Sequence, residues 1–191
     1  MKNLNSTAHE ILDLAEQFTQ TRGFNAFSYK DLQNEIGIKT SSIHYYFPSK
    51  SDLAYTMTER YIERFKNALE LISAENRNSL KGIRKHAQLH IDLAAQGKFC
   101  LCGILASEIA TMTAQVTELI NQFFDLNNQW ISNMLKDGIE KGKITPTIDP
   151  DDYAKNHLAL LHGAALIAIA KKDNSDDFEK MIDKNLKQIS L

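Results

Sequence analysis

Between Ser28 and Leu53 the chain reads SYKDLQNEIGIKTSSIHYYFPSKSDL, two short helical patterns hinged at Gly37 and followed by an aromatic cluster and Lys50. Ser28 is placed to cap the first helix with Asp31 at its third position, while Leu32 and Ile36 fall four residues apart on one apolar face. Gly37 ends that helix, because glycine takes a positive φ at little cost, and Ile38 turns back toward the core. Thr40 is the expected cap of the second helix, Ile43 and Phe47 face inward, and Pro48 stops it. This is the pattern of a helix-turn-helix. Small hydroxyl side chains at the start of the second helix let a backbone approach base edges, and Tyr, His and Lys side chains hydrogen-bond phosphate oxygens. The expected DNA-facing set is Ser28, Tyr29, Lys39, Thr40, Ser41, Ser42, His44, Tyr45 and Lys50.

The rest of the chain predicts an all-α protein of about nine helices. It has 191 residues, 43% of them hydrophobic, only three prolines, and no alternating run long enough for a sheet, so it can bury a sizeable core. The first helix is expected over about Thr7 to Arg22, opened by the capping box Thr7-x-x-Glu10, with Ala8, Ile11, Leu12, Ala15 and Phe18 on one stripe. A long fourth helix is expected from after Ser49 to about Ala74, shared by two domains and able to pass a shift from one to the other. Five more follow over about 79–96, 102–112, 113–141, 151–172 and 176–189, with Gly142, Pro146 and Pro150 marking the clear loop. Net charge is −2, and within residues 1–50 Lys2, Arg22, Lys30, Lys39 and Lys50 are balanced by Glu10, Asp13, Glu16, Asp31 and Glu35. No basic tail drives non-specific binding; few phosphate contacts per subunit follow, a dimer doubles them, and binding weakens with salt.

The stretch from Ile11 to Leu53 resembles the DNA-binding domain of the tetracycline-repressor (TetR) family, carried by Ala15, Phe18, Gly23, Phe24, Ser28, Leu32, Gly37, Ile38, Ile43, Tyr45, Phe47, Lys50 and Leu53. Ser41 stands where that family usually has glycine, and His44 where it has the first of two tyrosines. The resemblance implies a three-helix DNA-binding domain over residues 1–50 and a helical effector-binding and dimerisation domain over 51–191. It implies a homodimer on a palindromic double-stranded operator, released by an inducer bound in the C-terminal half.

Helix seven carries more apolar surface than one stripe needs, and Asn127 falls between Phe123 and Trp130 at helical spacing, one polar group among aromatics. With His90, Cys100 and His162 these form the expected effector set. Helix eight mixes large and small residues; Leu158, Leu161, Gly163, Ala164 and Ile167 are the expected dimer contacts, since the family pairs its last two helices across a two-fold axis. Cys100 and Cys102 lie at a helix entrance near Lys98, where helix N–H groups favour a thiolate, and the segment KFCLCGILASEIA is similar to that of electrophile-responsive members of the family.

Other classes are poorly served. No phosphate-binding glycine loop, G-x-S-x-G elbow or H-E-x-x-H is present, and no glutamate has a histidine three residues later, so an enzyme is not expected and no cofactor is implied. His86 and His90 have metal-like spacing without a further paired ligand, so no metal is expected. The leading MKNLNSTAHE lacks a signal peptide's apolar stretch, and the nearly apolar run 158–170 is shorter than the about 20 residues a bilayer needs, so a cytoplasmic protein without membrane contact is expected. The competing reading is a helical ligand-binding or thiol-sensing module without DNA binding.

Overall fold

The computed structural model describes residues 5–75, 79–172 and 176–191; Lys2 and the leading four residues lie outside them. Among the described residues there are nine α-helices and no strand, with one isolated antiparallel bridge between Ile144 and Ser190, so the all-α expectation holds. The helices are α1 (Ser6–Arg22), α2 (Tyr29–Ile36), α3 (Thr40–Tyr46), α4 (Lys50–Glu75), α5 (Ser79–Ala95), α6 (Leu101–Ser107), α7 (Ala114–Glu140), α8 (Pro150–Lys171) and α9 (Asp176–Lys187). Short 3-10 turns at Phe24–Ala26 and Ile109–Thr111 follow α1 and α6.

Local chemistry sets most of the boundaries. Ser28 and Asp31 form the expected capping box, with the Asp31 carboxylate accepting from the Ser28 amide at 2.7 Å, and Gly37 closes α2 at φ 81°. Ser49 and Asp52 repeat the device at the head of α4: the Asp52 carboxylate accepts from the Ser49 amide at 2.9 Å, and the Ser49 hydroxyl accepts from the Asp52 amide at 3.1 Å. Two expected caps move by a residue or two. Asn5, not Thr7, caps α1, its side-chain oxygen accepting from the Ala8 amide at 3.0 Å. Lys39 occupies the cap position of α3, because Thr40 is drawn into the helix, where its amide donates to Gln33 Oε1 at 2.9 Å and its hydroxyl bonds the same oxygen. The single helix expected over 102–112 breaks at Glu108 into α6 and a 3-10 turn.

Packing divides the chain into two compact units, neither continuous in sequence. The first takes the chain up to Glu63 together with Cys100–Gln122; the second takes Arg64–Phe99 with Phe123–Leu191. In the first unit, α1 buries Ala8, Ile11, Leu12, Ala15 and Phe18, α2 and α3 bury Leu32 and Ile43, and α6 buries Leu101, Cys102 and Leu105. Arg60 of α4 is fixed against α1 by ion pairs to Asp13 at 2.8 Å and Glu16 at 3.3 Å. In the second unit α5, α8 and α9 pack with the later turns of α7 around Ile83, Ile91, Ile131, Leu135, Leu161, Phe178 and Ile182. No described helix is long and apolar enough to cross a membrane.

Candidate nucleic-acid interface and ligand site

The short helix α3 presents two different faces. Ile43 and Phe47 are buried, whereas Lys39, Ser41, His44 and Tyr45 are exposed, Tyr45 to 81%; Thr40 and Ser42 are half-buried. The His44 ring packs edge-on to Tyr29, with Nδ1 at 3.1 Å from the Pro48 carbonyl oxygen. A carbonyl only accepts, so Nδ1 carries a proton and Nε2 is left to meet a partner from outside the helix. Tyr46, absent from the expected set, anchors the helix by accepting from Asn5 Nδ2 at 2.6 Å.

Three residues expected to face DNA are held by the protein itself. Tyr29 is buried, and its hydroxyl lies 2.9 Å from the Phe47 carbonyl and 2.6 Å from that of Ser49, so it ties the end of α3 to the start of α4; burial raises its pKa. Lys50 donates to the Phe24 carbonyl and sits 4.5 Å and 4.4 Å from the ring centroids of Phe24 and Phe27. Burial lowers its pKa, with the Glu108 carboxylate opposing that shift. Ser28 is exposed but spends its hydroxyl on Asp31.

The turn that Lys50 grips is also held from the α6 side. The Glu108 carboxylate accepts from the Asn25 amide at 3.2 Å, and Asn25 Nδ2 donates to the Thr111 hydroxyl at 2.9 Å. Gly23 precedes this turn at φ 98°, and a Cβ there would come within 2.6 Å of a Glu108 carboxylate oxygen. Only glycine combines that backbone with so close a carboxylate.

The second unit gathers five of the six residues expected to hold an effector, and adds others. His86, His90, Phe123 and Asn127 are buried, and Trp130 and His162 half-buried. His86 stacks on Trp130 at 5.4 Å, His90 meets His162 at 5.3 Å, and Phe65 lies edge-on to His86, His90 and Phe123 at 5.9, 6.4 and 4.9 Å. Trp130 Nε1 donates to the Ser73 hydroxyl at 2.9 Å. Burial pushes the His86 pKa down to about 4 and depresses those of His90 and His162, so all three rings are neutral at ordinary pH. Phe65, His86 and Phe124 were not in the expected set; the i, i+4 spacing of His86 and His90 was the one signal pointing to His86. With His86 Nε2 engaged by Asn127 Oδ1 at 2.8 Å, that imidazole answers a neighbouring amide.

Cys100, the sixth, belongs to the first unit, where the Tyr61 hydroxyl donates to its sulfur at 3.5 Å. Burial raises the pKa of both Cys100 and Cys102, which works against a thiolate; at Cys100 desolvation outweighs the backbone and Tyr61 hydrogen bonds at the entrance of α6. Of the five expected dimer residues, Gly163 and Ile167 are exposed and the other three are buried. Leu158, Leu161 and Ala164 point into their own protomer's core, whereas Ala159, Gly163, Leu166, Ile167 and Ala170 form the exposed stripe of α8. Leu166 and Ile167 are 57% and 50% exposed, Met181 of α9 is 40% exposed, and a Cβ built on Gly163 meets nothing within 4 Å.

A three-helix head with an outward recognition helix defines a helix-turn-helix DNA-binding protein. Residues 11–55 match the family model for bacterial regulatory proteins of the tetR family. Among solved structures, a TetR-family transcriptional regulator from Agrobacterium tumefaciens is similar over 97% of this chain and 98% of its own, at 29% identity and a TM-score of 0.93. A TetR transcriptional regulator from Legionella pneumophila is similar over 95% and 98%, at 29% identity and a TM-score of 0.84. Reduced NemR from E. coli shares the fold over 98% of each chain, at 22% identity and a TM-score of 0.84. A comparison with curated proteins gives no match. Residues 11–55 thus carry a DNA-binding region of the tetR type, and the chain, which shares the fold of TetR-family regulators over nearly its whole length, is a DNA-binding transcriptional regulator.

Proposed function

We propose that this regulator is a cytoplasmic homodimeric repressor that holds a palindromic operator and lets go when a small molecule binds in its C-terminal half. The observation that carries the reading is the division of α3: Ile43 and Phe47 seat the helix, while Lys39, Ser41, His44 and the 81%-exposed Tyr45 stand clear of the protein. Residues 1–50 act as the DNA-binding domain and 51–191 as the effector and dimerisation domain. Ser41 and Ser42 allow close approach to base edges, His44 Nε2 accepts from an adenine or cytosine amino group in the major groove, and Tyr45 and Lys39 reach phosphates. Tyr29 and Lys50 position these groups from behind.

The exposed α8 stripe with Met181 supports the dimer, since apolar side chains flanking a glycine with open space suit close helix pairing with a second copy. The aromatic and imidazole core of the second unit supports a non-covalent effector site. Glu108 and Thr111 support a route to the DNA-reading head, because a shift of α6 acts directly on the turn at Asn25. A covalent electrophile response is disfavoured by the buried, protonated thiols.

Selection of bound sequences from random duplexes with the full-length protein tests the reading. A palindrome should emerge, and His44→Phe should relax preference at one symmetric pair of positions while leaving the rest. Recovery of no sequence, or of a motif untouched by substitutions at Ser41, Ser42 and His44, would count against it.

A further inference from the structure

The buried core around His86 has a hydrogen-bonding sense that can be worked out atom by atom. Asn127 Nδ2 donates to the Phe123 carbonyl at 2.7 Å, and a carbonyl only accepts, which fixes the orientation of the Asn127 amide. Its Oδ1 therefore faces His86 Nε2 at 2.8 Å, so His86 carries its proton on Nε2 and a lone pair on Nδ1. That Nδ1 is buried without a hydrogen-bond partner among the described residues, and so are His90 Nε2 and His162 Nε2. Buried polar atoms of native proteins are nearly always paired, so three orphans in one cluster mark a place built for a partner from outside the chain.

The surroundings narrow what that partner is. Phe65, Phe123, Phe124 and Trp130 enclose the imidazoles with edges and faces that suit a flat ring. Among the described residues of this unit none of the buried side chains is Asp, Glu, Lys or Arg, so nothing balances a buried charge. Protonating an imidazole to hold an anion is opposed by the burial that keeps His86 and His90 neutral.

We propose that this core takes an uncharged phenol, whose ring lies among Phe65, Phe123 and Trp130 and whose hydroxyl donates to His86 Nδ1; the inference rests on reading the core as the effector site. Trp130 is the only tryptophan of the chain and stacks on His86, so its emission reports the site directly.

Full-length protein is titrated with para-propylphenol, propylbenzene, para-propylbenzoate and para-propylphenyl-trimethylammonium, following Trp130 emission. The phenol should bind at least about tenfold more tightly than each of the other three, because a site built around a donor rejects analogues that lack it or that bring a charge. His86→Phe should erase the preference for the phenol over propylbenzene, and His90→Phe, a second variant should the first fail to fold, should weaken the phenol less. Tighter binding of the benzoate or the ammonium, still seen at Trp130, overturns the ligand class and leaves the site standing. A phenol that binds or releases DNA without changing Trp130 emission overturns the site itself, and no response to any of the four probes overturns both.

Discussion

Lys50 illustrates how one side chain serves a binding surface it does not join. Its ammonium is spent on the Phe24 carbonyl and two aromatic faces, which fixes the turn after α1 against the head of α4. Lys50→Ala should destabilise the fold by about 1–2 kcal/mol, the scale of one charge-assisted hydrogen bond with a partly exposed cation–π contact. Operator binding should weaken alike for all sequences, measured by denaturant melts and by gel shifts against base-substituted operators; a changed ranking of operators would place Lys50 at the bases. At Cys100 the direction of the pKa shift sets the chemistry. With less thiolate than an ordinary cysteine, it should alkylate with iodoacetamide more slowly than a free thiol near neutral pH and accelerate only as pH rises past about 9. Rates that match or exceed the free thiol below that range would restore the sensor reading.

At the scale of the element, α5 and α8 show what sequence pattern carries and what it leaves open. The helix-turn-helix was legible because every signal in it is local: the Ser28–Asp31 box, Gly37 in the left-handed region, and Ile43 and Phe47 one turn apart. The face of α8 was not, because Leu158, Leu161, Leu166 and Ile167 surround it on all sides and periodicity cannot separate core from surface. Gly163→Leu should therefore leave the protomer folded and weaken the dimer by about 1–3 kcal/mol through overpacking, with operator affinity falling in parallel. Ala164→Leu should instead lower the melting temperature, since that methyl is buried in its own core. Sedimentation and thermal melts on the two variants separate the roles.

The histidines of α5 carry a pH dependence with a definite sign. His86 binds its proton at about 4 in the fold and near 6.5 when unfolded, so between these values the unfolded chain binds more protons. Stability is fully present above about pH 6.5 and falls as pH drops toward 4, by a few kcal/mol for a single ring so buried. His90, His157 and His162 add losses of the same sign. Thermal melts across this range should show the fall, and His86→Phe should shrink it; a melting temperature that holds steady would contradict the neutral cluster.

For the whole molecule, the proposed dimer sets how DNA is read. Two α3 helices related by the two-fold axis should sit about 34–36 Å apart when bound, one half-site in each of two successive major grooves, so footprints should show protection repeated at one helical turn. Few phosphate contacts per protomer predict a modest salt slope that doubles from monomeric half-site to full operator. The partition of the chain was the least legible feature. Nothing in the composition of 100–122 announces that α6 belongs with α1, because that association is made by long-range burial of Leu101, Cys102 and Leu105.

That partition bears on how such regulators are recombined. A chimaera that joins residues 1–50 of this chain to the C-terminal half of another regulator separates Gly23 and Asn25 from the Glu108 and Thr111 that hold them, and strips α1 of the helix that covers it. The graft inherits a foreign residue where Glu108 accepts from the Asn25 amide. Transplanting operator specificity with the proposed effector response therefore calls for moving two pieces together, the N-terminal head and the insert from Cys100 to Gln122. A head-only graft should bind its operator with reduced affinity and poor response to the donor's inducer, and restoring the insert should recover both. The portable part of this protein is a pair of segments that are distant in sequence and pack as one unit.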